Sequence, residues 1–204
     1  MKKWIALGCL GVLILVALVT FLIGIGSYNG LVGKSQAVDS SWAQVQNVYQ
    51  RRADLIPNLV STVSGAANFE KSTLTEIADA RASVGRVTID ASHAPADAAT
   101  LQQFQQAQGQ LGTALSRLLM VTENYPQLRA TDNFKQLQAQ LEGTENRIST
   151  ERERFNDAVR TYDTSVQSFP TSIVAGMFGF KEKPYFTAAP QAQSAPTVTF
   201  PTFK

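Results

Sequence analysis

The apolar residues of this chain are concentrated near its N-terminus. Residues 4–25 carry no charge and, apart from Thr20 and the glycines, only apolar side chains. About twenty such residues cross a hydrocarbon core as a helix, so residues 1–26 are predicted to form a transmembrane anchor. Lys2 and Lys3 also suit a signal peptide, but the apolar run is longer than such a peptide needs and no A-x-A cleavage site follows. A retained anchor is therefore the favoured interpretation.

The charges on either side of the anchor predict its orientation. Lys2, Lys3 and the terminal amine precede it, whereas only Lys34 follows it closely. Positive charge is retained on the cytoplasmic side of a membrane, so the short N-terminus is expected in the cytoplasm. The rest of the chain is then expected on the outer side.

The segment after the anchor has apolar residues at alternating spacings of three and four, which predicts a long amphipathic helix. These regularly spaced positions form a seam along one face of the helix. Arg52 occupies one of them, and Pro57 follows another, Ile56. Because the seam continues past Pro57, the proline is expected to kink the helix or remove one hydrogen bond without ending it. The seam consists of Val38, Trp42, Val45, Tyr49, Arg52, Ile56, Leu59, Val63 and Ala66.

A break at residues 65–68 is followed by the pattern of a shorter second helix. Thr73 and Glu76 have the spacing of a capping box and are expected near its start. Residues 88–99, which include His93, are then expected to form a loop. The predicted buried face of the second helix consists of Leu74, Ile77, Arg81 and Val84.

Two longer helical patterns complete the predicted domain. The third helix is expected to stop by Asn124, because Pro126 disfavours helical geometry at the preceding residue. Thr131 or Asp132 is expected to cap the fourth helix. These patterns predict an all-α fold, in which an N-terminal transmembrane helix precedes an antiparallel four-helix bundle over residues 27–180. The stripe of the third helix consists of Leu101, Phe104, Gln108, Leu111, Leu115 and Leu118. The stripe of the fourth helix consists of Phe134, Leu141, Ile148, Phe155, Tyr162 and Phe169.

The region after Pro170 has weaker periodicity. Residues 173–180 form a small apolar patch that is expected either to cap the open end of the bundle or to lie against lipid. From Lys181 onward the chain is rich in Pro, Ala, Gln, Ser and Thr. This composition is typical of disorder, so residues 181–204 are predicted to form a disordered tail.

Composition and charge exclude several classes of function. The 18 Lys and Arg side chains nearly balance the 16 Asp and Glu side chains and form no basic stripe, so nucleic acid is not an expected partner. Cys9 is the only cysteine, so no intrachain disulfide is expected. His93 is the only histidine, and the sequence contains no familiar catalytic, zinc or phosphate-binding motif. The chain is therefore expected not to be an enzyme and to bind no metal or cofactor.

One polar cluster is placed within the predicted bundle. Arg52 falls in the core seam, where an unpaired guanidinium is costly, so it is expected to pair with Glu142, Glu145 or Glu151. The favoured interpretation is an ion pair that fixes the register of the helices. The alternative is a polar site for a ligand or partner. The candidate cluster comprises Arg52, Asp54, Asn58, Glu142 and Glu145.

Several motifs in the chain are long enough to identify a relationship. Residues 50–60 read QRRADLIPNLV, residues 123–126 read ENYP and residues 141–148 read LEGTENRI. With these motifs the chain resembles the LemA family of bacterial membrane proteins, from the anchor to Phe186. Two positions depart from the family pattern. Residues 65–70 read GAANFE where many relatives carry G-Y-A-x-H-E, and Asp163 stands where asparagine is common.

The resemblance implies a single-pass anchor and an antiparallel helical bundle, in a family without a settled biochemical activity. Its members are accessory proteins of the bacterial envelope. We therefore expect a scaffold or adaptor in the bacterial inner or cytoplasmic membrane, with the bundle on the periplasmic or extracellular side. Its expected partners are membrane lipid around the anchor, an unidentified envelope protein and further copies of itself. The alternative function is a small-ligand or lipid sensor that uses the polar site near Arg52.

Overall fold

The computed structural model describes residues 2–65, 70–87 and 93–187, with side chains from Leu10 onward. All regular structure within these residues is helical, which confirms the predicted all-α fold. Residues 66–69, 88–92 and 188–204, which include parts of the predicted break, loop and tail, lie outside the described residues. The helices are α1 (Lys2–Ser64), α2 (Lys71–Arg86), α3 (Ala98–Thr122), α4 (Pro126–Ala130), α5 (Asp132–Gln167) and α6 (Thr171–Phe178).

The longest element, α1, contains both the apolar N-terminal segment and the first helix of the bundle. Its 63 residues correspond to about 95 Å at 1.5 Å per residue. The large apolar side chains from Leu10 to Ile25 are 44% to 66% exposed, and this part of α1 is long and apolar enough to cross a membrane. The bundle begins at Leu31, which is buried, less than two turns after Ile25.

The helices α1 and α5 pack along each other in opposite directions. Lys34, in the part of α1 nearest the anchor, contacts Ser165 near the end of α5. Arg52, farther along α1, contacts Glu145 nearer the start of α5. The two helices are therefore antiparallel.

The helices α2 and α3 form a second antiparallel pair. Glu76 in the first half of α2 contacts Arg117 near the end of α3, at 3.1 Å. Ser83 near the end of α2 contacts Gln110 in the middle of α3. The four long helices thus have the antiparallel arrangement that the sequence predicts.

The core is formed by the predicted seams. Every described residue of the α1 seam is buried, including Arg52, and α1 stays helical through Pro57. Two predicted core positions are wrong. Arg81 is exposed on the outer face of α2, and Phe169 is 81% exposed because α5 ends at Gln167 before the heptad seam is complete.

The predicted capping box at the start of α2 is wrong. The helix begins at Lys71, so Thr73 is already inside it, and its hydroxyl donates to Glu70 Oε2 at 3.3 Å. Glu76, the expected second member of the box, lies one turn farther on and forms an ion pair with Arg117. The two residues have the spacing of a capping box, but they lie too far inside the helix to form one.

The connection between α3 and α5 contains the short helix α4, which the periodicity does not indicate. Helix α3 ends at Thr122, before the predicted limit at Asn124. Pro126 then begins α4, where its missing N–H costs no hydrogen bond. Thr131 caps α5 as predicted, and its hydroxyl accepts the N–H of Phe134 at 3.4 Å.

The apolar patch that follows α5 forms the helix α6. Ala175 is buried against the core, whereas Ile173 and Met177 are 56% and 76% exposed. One face therefore caps the bundle and the other remains open. Gly179 ends the helix with φ of 76°, in the left-handed region that favours glycine.

Residues 181–187 form an extended segment that packs against the bundle, and we call it the C-terminal strap. Phe186 is 6% exposed and belongs to the core around Trp42 and Phe155. The prediction of a disordered tail is wrong for these residues. It is based on the composition of residues 181–204 as a whole, which does not show that one aromatic residue, Phe186, is buried in the core.

Candidate functional site

The predicted polar cluster is centred on Arg52, which points from α1 into the bundle. Its Nη1 donates to Glu145 Oε2 at 3.1 Å. Its Nη2 donates to the backbone carbonyl of Gln108 at 3.1 Å and also to the side-chain carbonyl of that residue. Arg52 thus connects α1 with α3 and α5. These hydrogen bonds join three helices at one level of the bundle.

The surroundings of Arg52 are largely desolvated. Its Nε is buried without a hydrogen-bond partner among the described residues. The guanidinium lies 5.1 Å from the ring centroid of Tyr49, in cation–π contact. Burial raises the pKa of the Tyr49 hydroxyl, while the charges of Arg152 and Arg52 oppose that effect. The Tyr49 hydroxyl therefore keeps its proton at neutral pH.

The other members of the predicted cluster lie elsewhere. Asp54 is exposed and accepts from Gln50 at 2.8 Å, and Asn58 is exposed on the same helix. Glu142 is exposed and accepts from Gln138 at 3.0 Å. Of the five candidates, the structure therefore brings together only Arg52 and Glu145.

Gln108 is a partner of Arg52 that the sequence interpretation does not include. It lies on the buried stripe of α3, as predicted, where an amide among apolar residues is costly unless it is paired. This buried polar position is the signal by which the partner could have been found. Glu151, the third expected partner, instead pairs with Arg154 at 2.8 Å.

A second polar site, which the sequence does not predict, holds the first half of the C-terminal strap. Lys183 Nζ contacts Asp39 Oδ1 at 2.9 Å, and both side chains are largely buried. The backbone N–H of Lys183 donates to Asp163 Oδ1 at 3.0 Å. Burial raises the pKa of Asp163, and hydrogen bonds from Lys183 and Tyr185 oppose this. These contacts attach the strap to α1 and α5.

The second half of the strap is held by Asn156 and by aromatic packing. The Asn156 carboxamide accepts from the Phe186 N–H at 2.8 Å and donates to the Phe186 carbonyl at 3.0 Å. The Phe186 ring stacks on Trp42 with a centroid distance of 6.1 Å, and Arg152 covers it at 4.7 Å. Because one side chain satisfies both backbone groups, Phe186 stays buried without a neighbouring strand.

Two grooves lie where α6 meets α1, at the C-terminal end of the apolar segment. The apolar groove has a volume of about 450 Å³, and the polar groove has a volume of about 540 Å³. The apolar groove is lined by Thr20, Phe21, Ile23, Gly24, Ile25, Ser27 and Tyr28 of α1 and by Pro170, Ile173, Val174, Met177 and Phe178. The polar groove is lined by Ile23, Gly26, Ser27, Gly30, Leu31, Lys34, Ser165, Ser168 and Thr171.

Comparisons with known proteins identify relatives over most of the chain. The sequence profile of the LemA family matches residues 41–200. Magnetosome protein MamQ of Magnetospirillum gryphiswaldense is 27% identical over an alignment of 209 positions, gaps included, which covers 93% of this chain and 74% of that protein. Magnetosome protein MamQ 2 of Paramagnetospirillum magneticum is 29% identical over an alignment of 213 positions, which covers 95% of this chain and 76% of that protein.

A more distant relative carries the family name itself. Protein LemA of Metamycoplasma hominis is 20% identical over 155 residues, which cover 76% of this chain and 66% of that protein. The profile match includes most of the bundle, with the Arg52 cluster and the whole C-terminal strap. The chain therefore belongs to the LemA family.

Proposed function

We propose that this protein is a non-enzymatic, membrane-anchored component of the bacterial envelope that acts as a scaffold or adaptor. Its bundle would hold other membrane proteins, or further copies of itself, at the membrane. The observation that carries the proposal is the continuity of α1 from the apolar segment through the bundle. A helix without a break transmits position and orientation, so a partner bound to the bundle is held at a fixed height above the bilayer.

The contacts inside the bundle favour binding of protein partners at its outer faces. Arg52 is 3% exposed and is engaged by Gln108 and Glu145, so its charge serves helix register. This arrangement favours the scaffold over the alternative function, a sensor that binds a small ligand or lipid near Arg52. The magnetosome relatives are named for an assembly and not for a reaction, which supports the same class of function.

The location proposed for the protein is the inner or cytoplasmic membrane, with the bundle on the periplasmic or extracellular side. The support for this orientation is the charge distribution, with Lys2 and Lys3 before the apolar segment. An adaptor in this position reaches the outer domains of other membrane proteins.

Photo-cross-linking in living cells tests the adaptor role. A photoreactive amino acid replaces Met120, Lys135 or Thr150, which are exposed on the bundle, in the full chain. Val16, an exposed position in the apolar segment, is the matched control for contacts within the membrane. We expect a discrete protein adduct from at least one bundle position, absent from the Val16 variant.

Co-expression of two differently tagged copies distinguishes self-association from a separate partner, because only self-association joins the two tags. Uncross-linked monomer at all three bundle positions would contradict the scaffold role. Saturable binding of a metabolite that depends on Arg52 would instead favour the sensor.

A further inference from the structure

We propose that the junction of α1 and α6 binds one anionic phospholipid of the surrounding bilayer. The phosphate would occupy the polar groove, and the acyl chains would follow the apolar groove. This site is separate from the Arg52 cluster. It rests on the insertion of the anchor into a membrane and not on the adaptor role, so either proposal can fail alone.

The position of α6 places its open face at the depth of the bilayer boundary. Its residues line one groove together with residues 20–28 of α1, which include the last two turns of the apolar segment. The ring of Phe178 lies 4.8 Å from that of Tyr28. A helix beside the end of a membrane span lies in the zone where acyl chains meet headgroups.

The apolar groove has the chemistry of a lipid contact. Ile173, Met177 and Phe178 are 56%, 76% and 62% exposed, and they line one groove with Phe21, Ile23 and Ile25 of the apolar segment. In water such a contiguous apolar surface is unfavourable, because it remains hydrated. Acyl chains cover it, which explains why a helix of this composition keeps one open face.

The polar groove has the chemistry of a phosphate contact. Lys34 donates to Ser165 Oγ and pairs with no carboxylate among the described residues. Ser27, Ser168 and Thr171 also line this groove. The Ser168 hydroxyl already donates to the Thr164 carbonyl, so the hydroxyl donors offered to a ligand are those of Ser27 and Thr171. Together with Lys34 they supply one positive charge and two further donors, which a phosphodiester accepts.

The two grooves adjoin each other, because Ile23 and Ser27 line both of them. Lys34 lies nine positions after Ile25 in one helix, which is about 13 Å farther along the axis. This separation is larger than the depth of the headgroup layer, which is about 5–8 Å on each side of the hydrocarbon core. The lysine side chain extends back toward the interface, and this reach brings its ammonium group to the headgroup layer. One phospholipid can therefore place its phosphate in the polar groove and its acyl chains in the apolar groove.

Native mass spectrometry of the full-length protein in mild detergent tests the site. The protein is titrated with phosphatidylglycerol and, separately, with phosphatidylcholine of the same acyl chains. We expect a one-to-one phosphatidylglycerol adduct. Lys34→Gln is expected to weaken it about fivefold, which corresponds to roughly 1 kcal/mol for one lysine near a lipid headgroup.

Lys71→Gln is the matched control, because it removes an equally positive, exposed lysine at the start of α2. It should leave the adduct unchanged. Circular dichroism melting of each variant separates a lost contact from a lost fold. Equal adducts in the original protein and the Lys34→Gln variant would overturn the phosphate contact, and equal binding of the two lipids would overturn the preference for an anionic lipid.

A photoactivatable phosphatidylglycerol with its reactive group on an acyl chain tests the apolar groove without any substitution. In nanodiscs of the full chain we expect labelling of peptides that contain residues 20–28 and 169–178. Labelling spread evenly along the apolar segment, with none on α6, would overturn the acyl contact.

Discussion

Arg52 carries a positive charge into the middle of a helical bundle, and three polar groups compensate it. Two of them belong to Gln108, which is itself 6% exposed, and the third belongs to Glu145, whose side chain is 62% exposed. Gln108 and Glu145 are therefore expected to contribute differently to the free energy of unfolding. A surface carboxylate contributes little to an ion pair, whereas a buried amide that loses its partner is costly.

We expect Arg52→Met to lower the free energy of unfolding by about 1–3 kcal/mol, because it leaves the side-chain carbonyl of Gln108 buried and unpaired. The double variant Arg52→Met, Gln108→Leu should recover most of that loss, because an apolar pair of similar volume replaces the polar one. Glu145→Gln should cost less than about 1 kcal/mol. Urea unfolding of the full chain in detergent measures all three. A Glu145→Gln loss equal to that of Arg52→Met would contradict this ranking.

Asp163 is the second residue whose burial has a measurable consequence. Burial raises its pKa above the ordinary value of 3.8. The folded protein then retains a proton that the unfolded chain has lost, so stability falls as pH rises from 3.8 through the folded pKa. An asparagine at this position would accept the Lys183 N–H through its side-chain carbonyl and would not titrate.

We expect Asp163→Asn to gain stability relative to the original protein as pH rises across that window. The measurement is a series of urea unfolding curves between about pH 3.5 and about pH 7. In this range a carboxyl group with a raised pKa loses its proton. Asp157→Asn removes an exposed carboxylate on the same helix and serves as the control. Parallel pH profiles for the two variants would show that Asp163 titrates normally.

At the scale of elements, the strap shows how a short extended segment becomes part of a helical core. It has no strand to pair with among the described residues, so its backbone depends on side chains of α5, mainly Asp163 and Asn156. The lysine in the strap is held by Asp39 of α1. The strap thus joins the two helices that form the core nearest the membrane.

We expect Phe186→Ala to destabilise the bundle by about 3 kcal/mol, through the lost burial and the cavity left beside Trp42. Truncation after Phe180 should cost at least as much. Truncation after Thr187 keeps every strap contact, so the change should stay within about 0.5 kcal/mol. Phe169→Ala, the same substitution at an 81% exposed site, is the control. Thermal unfolding in detergent compares the four variants, and equal losses for both Phe→Ala variants would exclude a core role for the strap.

For the whole molecule, the functional question is which side of the membrane the bundle occupies. Thr150→Cys, with Cys9→Ser, places one thiol on an exposed face of α5. We expect a membrane-impermeant maleimide to label it in intact spheroplasts. A cysteine inserted between Met1 and Lys2 of the Cys9→Ser protein keeps both lysines and should react only after the membrane is opened. The reverse pattern would place the bundle in the cytoplasm and change the set of partners that it can reach.

The sequence by itself determines the four long helices, because apolar periodicity is a local property. The α1 seam, the buried stripe of α3 and the cap at Thr131 are all predictable in this way. The motifs over residues 50–60 and 141–148 also identify the family, since each is a contiguous stretch of sequence.

Only the tertiary structure decides which residues meet across the bundle. The pairing of Arg52 with Gln108, the burial of Phe186 and the grooves beside α6 each join segments that are far apart in the chain. Periodicity shows that a residue is buried but not what lies opposite it, because the partner depends on how the helices are aligned in space. In this protein the local pattern determines the elements, and packing against distant segments determines the sites.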